Sequence, residues 1–115
     1  MIECLEKIEH YNDEELFKTI SRYVIKYALT LELTQFEKKL CPATQDKIKS
    51  KKHPRMTQGI LAELMDEDEI QIRRWKAKGI PKTRKFFKFV NVLGISWKID
   101  ILPFEKSIQL KIWIN

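Results

Sequence analysis

Glycine is scarce in this sequence, with 3 in 115 residues, and the scarcity excludes two things at once. There is no glycine-serine linker or low-complexity tract to join independent domains, and no glycine-rich loop of the kind that cradles a nucleotide phosphate. The two cysteines, Cys4 and Cys41, stand far apart with no second Cys or His at metal-ligand spacing. Free thiols are expected, and neither a structural disulfide nor a metal site. His10 and His53 are isolated as well. Nothing around them combines a nucleophile, a base and an orienting group, so an enzyme is the weakest reading and no catalytic residue or cofactor is expected. Long apolar runs are missing too, because Lys or Glu interrupts each one, and the start Met1-Ile2-Glu3-Cys4 lacks a charged segment followed by an apolar one. The expectation is a soluble, cytoplasmic protein with no membrane association.

What is present is a hydrophobic content of 43%, enough for one cooperative core in a chain too short for two ordinary domains. The net charge of +6 is unevenly spread. Residues 1–40 carry 6 basic and 8 acidic groups, a net of −2. Residues 41–58 carry Lys47, Lys49, Lys51, Lys52 and Arg55 against Asp46, a net of +4. Residues 79–96 carry Lys82, Arg84, Lys85 and Lys88 with no acid, again +4. Two basic blocks therefore flank one segment. Such blocks attract polyanions, with counterion release from nucleic acid as the usual driving force, although a lysine-rich solvated surface has the same composition.

Helical periodicity begins after Asn12, with Leu16, Ile20, Val24, Tyr27 and Leu31 on one face and Lys18, Arg22 and Lys26 on the other. Asn12 suits the N-cap of this helix, with Glu15 completing a capping box. The apolar stripe is broad, since Phe17, Tyr23 and Ala28 widen it, and it must be buried against the rest of the domain or a second copy of the chain. A short helical pattern over Phe36 to Leu40 ends at Cys41-Pro42, and another from about Thr44 to Lys52 must stop before Pro54. The chain thus divides into an N-terminal helical extension (1–43), a core (44–97) and a C-terminal segment (98–115).

The run Thr57 to Gly79 contains two short helical faces: Leu61, Leu64 and Met65, then Ile72 and Trp75. Between them lies Asp66-Glu67-Asp68-Glu69. Asp66 tolerates the left-handed conformation that ends a helix, and Asp68 can cap the next with Gln71 as its box partner. Ala62 lets two helices cross closely. A tight helix-turn-helix is predicted.

On these residues the segment resembles the lambda-repressor and Cro-like family, often called XRE. The family's Thr-Gln and Leu-Ala elements fall on Thr57-Gln58 and Leu61-Ala62, and its later core positions on Met65, Ile72 and Trp75. The continuation Gly79-Ile80-Pro81-Lys82-Thr83, then Phe86, Phe89, Val90, Leu93 and Gly94-Ile95-Ser96, is similar to its loop and following helix. The resemblance covers Ile48 to Trp97. It implies a mainly α, lambda-repressor-like helix-turn-helix domain and a sequence-specific, double-stranded DNA-binding transcriptional regulator, a repressor of the phage or mobile-element type. The chain departs from the family at Asp66, where glycine is usual, and in its four consecutive acids, which repel phosphate.

Taking Ile72 as core, a step of about 100° per residue turns Ile70, Arg73, Arg74 and Ala77 outward. Arg suits guanine, an exposed Ile suits a thymine methyl, and Glu can accept from cytosine. The resemblance implies base reading at Glu69, Ile70 and Arg74 and a phosphate brace at Gln58. With Arg73 added to the base readers, Lys49, Lys51, Lys52 and Arg55 before the motif and Lys82, Arg84 and Lys85 after it become phosphate contacts. After Trp97 the period changes to alternation, Ile99 and Ile101, then Ile108, Leu110, Ile112 and Ile114, implying a two-stranded β-hairpin joined through Pro103 to Ser107. A lone hairpin needs support, so a homodimer on a palindromic operator is expected, through the hairpin, the N-terminal helix or both. The alternative is a protein-binding module on the same fold, such as an antitoxin or small phage-encoded inhibitor of a host nuclease, docking through the acidic turn and the Leu16 to Leu31 helix.

Overall fold

A computed structural model describes residues 3–9, 15–52, 54–104 and 107–115. The order of elements is β1 (Glu3–Glu9), α1 (Leu16–Ala28), a 3₁₀ helix (Leu33–Lys39), α2 (Pro42–Lys49), α3 (Gln58–Met65), α4 (Glu69–Lys78), α5 (Thr83–Leu93), β2 (Ile95–Leu102) and β3 (Ser107–Ile114). Helices and a three-stranded antiparallel sheet together make the fold. Among the described residues no helix is long and apolar enough to cross a membrane.

The sheet corrects the two-stranded hairpin expected from the sequence. β2 and β3 do pair as a hairpin, but β1 adds on the far side of β3, giving the order β1-β3-β2. Register explains why β1 belongs there. Ile8 stands opposite Ile108, Glu6 opposite Leu110 and Cys4 opposite Ile112. On the other side of β3, Ile101, Ile99 and Trp97 face the same three residues. Cross-strand partners share a face, and Ile108, Leu110 and Ile112 are fully buried beneath the helices. The lone-hairpin problem is thus solved within one chain, by a third strand and by packing on α5 and α1.

Helix boundaries follow local chemistry. Thr57 caps α3 by accepting a hydrogen bond from the Ile60 N–H at 3.2 Å. Asp66 ends it at φ 54°, ψ 48°, while the Glu67 N–H reaches back to the Ala62 carbonyl at 2.9 Å and the Asp66 N–H to Glu63 at 3.3 Å. This is the double hydrogen bond that closes a helix on a left-handed residue. Asp68 takes the N-cap position of α4, but its side chain makes no capping bond, so the expected box with Gln71 is absent. α2 runs from Pro42 to Lys49, earlier than the sequence suggests, because proline is favoured in a first helical turn. Leu33–Lys39 winds as a 3₁₀ helix. Asn12, the expected cap of α1, lies outside the described residues, as do His10, His53 and part of the β2–β3 connection; α1 begins at Leu16 with Glu15 in the cap position.

The core is continuous from helices to sheet. Leu61, Ala62, Met65, Ile72, Trp75, Phe86, Phe89, Val90 and Leu93 are buried, with Leu64 partly so. Phe86 of α5 joins three elements, its ring meeting Phe17 of α1 edge-on at 4.8 Å and Trp97 of β2 at 5.7 Å between centroids. The broad stripe on α1 goes inward: Ile20, Val24, Ile25, Tyr27 and Ala28 are buried. Lys18 and Lys26 are exposed as expected of the opposite face, whereas Arg22 is half-buried.

Candidate nucleic-acid interface

α3 and α4 meet at a two-residue turn and lie against each other, and α4 also lies along α1. Ile72 and Trp75 hold α4 to the core, at 0% and 2% exposure. A helix pinned on that side must offer the other, and the candidate base readers are there: Glu69, Ile70, Arg73 and Arg74 are all exposed, Ile70 at 58%. An isoleucine so exposed beside two arginines is poor for stability alone, because its apolar surface stays in water. The Glu69 carboxylate lies over the first turn of α3, where a Cβ at Gly59 would stand 3.7 Å from its Oε2. Gln58, half-buried, is the first residue of that same turn.

The candidate phosphate contacts divide into two depressions. Lys51 and Arg55 line one of about 300 Å³ with Lys47, Thr57, Gly59 and Glu63, at the entry to α3. Lys82, Arg84 and Lys85 line another of about 460 Å³, joined by Lys88. Lys49 and Lys52 are exposed but line neither. Two of the cations are already engaged. The Arg55 guanidinium donates to the Thr30 carbonyl at 2.9 Å, and the Lys85 ammonium is paired with Glu67. Lys88 donates to the Met65 carbonyl at 3.3 Å, at the end of α3. Two lysines of α5 therefore hold the acidic turn, and one of its four charges is offset within the fold. Lys47 and Lys88 had been counted in the basic blocks without a role; a depression brings residues from different elements together, and no spacing within one block marks that.

A second cluster joins α2 to α3. The Glu63 carboxylate accepts hydrogen bonds from the Thr44 hydroxyl at 2.8 Å, the Cys41 thiol at 3.3 Å and the Cys41 N–H at 3.3 Å. The Thr44 bond, helped by those from Cys41 and by Lys47, holds the Glu63 carboxyl below its ordinary range. Among the described residues no group of three His, Cys, Asp or Glu side chains could hold a metal ion. Both cysteines are free thiols, Cys4 half-buried and Cys41 exposed. Burial, and then the neighbouring Glu6, push the Cys4 thiol up.

No protein-family model, curated protein or solved structure matches this chain. What the site can do is therefore argued from its geometry and charge.

Proposed function

We propose that this chain is a sequence-specific regulator that binds double-stranded DNA, with the helix-turn-helix of the lambda-repressor and Cro-like type formed by α3 and α4, and with α4 entering the major groove. One observation carries the reading. α4 is anchored by Ile72 and Trp75 while it presents Ile70, Arg73 and Arg74 together to solvent, a donor-rich face with an apolar contact that suits base edges. The basic depressions beside α3 and α5 supply phosphate contacts on either side of the turn. The operator is palindromic and the protein binds it as a homodimer. The protein-partner alternative loses part of its motive, because Glu67 of the acidic turn is paired with Lys85 and the apolar face of α1 is buried.

The test is an anisotropy titration against randomised duplexes at near-physiological salt. Arg74→Ala is expected to lose about 1–3 kcal/mol and relax base choice at one position. Lys52→Ala weakens all sequences alike and lowers the salt slope by roughly 0.9 for its lost phosphate contact. Enrichment of no sequence, together with indifference to the loss of both Arg73 and Arg74, would overturn the proposal.

A further inference from the structure

The closing of α1 onto the end of α4 builds a site outside the readings so far. Gly79 follows α4 at φ 86°, ψ 170°, and a Cβ there would stand 2.3 Å from the Lys18 carbonyl oxygen and 2.9 Å from Ser21 Oγ. Only glycine lets the two backbones approach so closely. The fully buried Ser21 hydroxyl donates to the Lys18 carbonyl at 2.7 Å and accepts from the Ile80 N–H at 2.8 Å. The junction is thus rigid, hydrogen-bonded and built from residues about sixty apart.

Beside this junction is an open depression of about 290 Å³ lined by Lys18, Gln71, Arg74, Trp75, Lys78, Gly79 and Pro81. Three of its walls are cationic and none is acidic. Lys78, in the last turn of α4, is explained by the negative end of the helix. Lys18 comes from another helix and Arg74 from a turn earlier, so the helix end does not account for them. Trp75 supplies the second observation. Its side chain is 98% withdrawn from water, and its indole Nε1 has no acceptor among the described residues. A buried N–H without an acceptor is uncommon and costly. A donor of this kind in a depression walled by three cations calls for an anion with oxygen acceptors.

We infer that the depression between α1 and α4 binds a phosphate oxyanion, with Lys18, Arg74 and Lys78 supplying charge and the Trp75 indole N–H donating a hydrogen bond. The inference extends the DNA-binding reading, and rests on it for one point: the phosphate is a backbone phosphodiester of the duplex that α4 reads. Gln71, Arg74 and Lys78 form a stripe beside the base-reading face, at the helical spacing of three and four. A phosphodiester held there fixes how far α4 can rotate in the groove, so that α1 becomes part of the interface through Lys18.

The test is an NMR titration of the whole protein that follows the indole N–H resonances of Trp75, Trp97 and Trp113, assigned by Trp75→Phe. One arm adds a duplex, another inorganic phosphate, and a third chloride at matched ionic strength. The expected result is a downfield shift of the Trp75 resonance alone on adding duplex, with Lys18→Ala binding that duplex about tenfold more weakly and with its salt slope lower by roughly 0.9. A Trp75 shift with inorganic phosphate beyond that in chloride supports the oxyanion site whatever the duplex does. If no duplex binds, the DNA reading fails while the phosphate arm still decides the site. If neither duplex nor phosphate moves Trp75 beyond chloride, the site is overturned, even where duplex binding through Arg73 persists.

Discussion

Two glycines of this chain stand in opposite situations, and replacing each by alanine separates backbone strain from helix propensity. Gly79 occupies a region of φ and ψ open essentially to glycine, costing about 1–3 kcal/mol for another residue, and an added Cβ would collide with backbone of α1. Backbone cannot swing aside as a side chain can, so Gly79→Ala is expected to lose roughly 3 kcal/mol or more in urea unfolding. Gly59 lies within α3, where a Cβ meets nothing closer than 3.7 Å. Gly59→Ala should gain up to about 1 kcal/mol. Equal effects at the two positions would contradict the tight α1–α4 junction. The sequence made Gly79 legible only as part of a loop after a helix. Its partner is the carbonyl of Lys18, and a requirement set by a backbone sixty residues away leaves no local spacing to find. Trp75 was different: its register with Ile72 pointed inward, and both are buried.

At the scale of elements, the α3–α4 unit was readable because each of its signals is local. Asp66 tolerates positive φ, the apolar faces break at the acidic run, and the helix ends where these features say. β1 was not readable. Its inward face is Cys4, Glu6 and Ile8, in which a charged residue interrupts the alternation, and its partner strand lies about a hundred residues on. Nor did any pattern announce the tie between α2 and α3, where Cys41 and Thr44 converge on Glu63. That tie has a pH signature. The Glu63 carboxyl is held below its usual range in the folded protein, so it contributes stability that is present above the ordinary carboxylate value and is lost as the pH falls through the lowered folded value. Urea unfolding of the native protein and of Glu63→Gln across this acidic range is expected to give curves that differ near neutrality and converge as the pH drops. A constant difference across that range would show that the carboxylate's charge has no part in the tie.

For the whole molecule, the decisive fact is that the sheet draws both ends of the described chain together, with β3 central and β1 and β2 as its open edges. The sequence left two routes to a dimer, the N-terminal helix and the hairpin, because both had surplus apolar surface. Folding removes the first surplus by burying Ile20, Val24, Ile25, Tyr27 and Ala28 against the rest of the chain. It leaves the second: Ile101 near the end of β2 is 67% exposed, and Phe104 in the following turn is wholly so. Apolar side chains clustered at an open strand edge favour association. The expected outcome is a homodimer through this end of the sheet, seen as twice the chain mass by light scattering at high micromolar concentration. Ile101→Lys combined with Phe104→Ser should return it to the monomer without loss of helical signal, since neither side chain is in the core. The double variant should also bind a two-half-site operator far more weakly than the parent while binding a single half-site equally well, because only the linked pair gains from engaging both halves at once. A parent protein that scatters as a monomer at that concentration would remove the hairpin from the interface and leave each α4 to read its half-site alone.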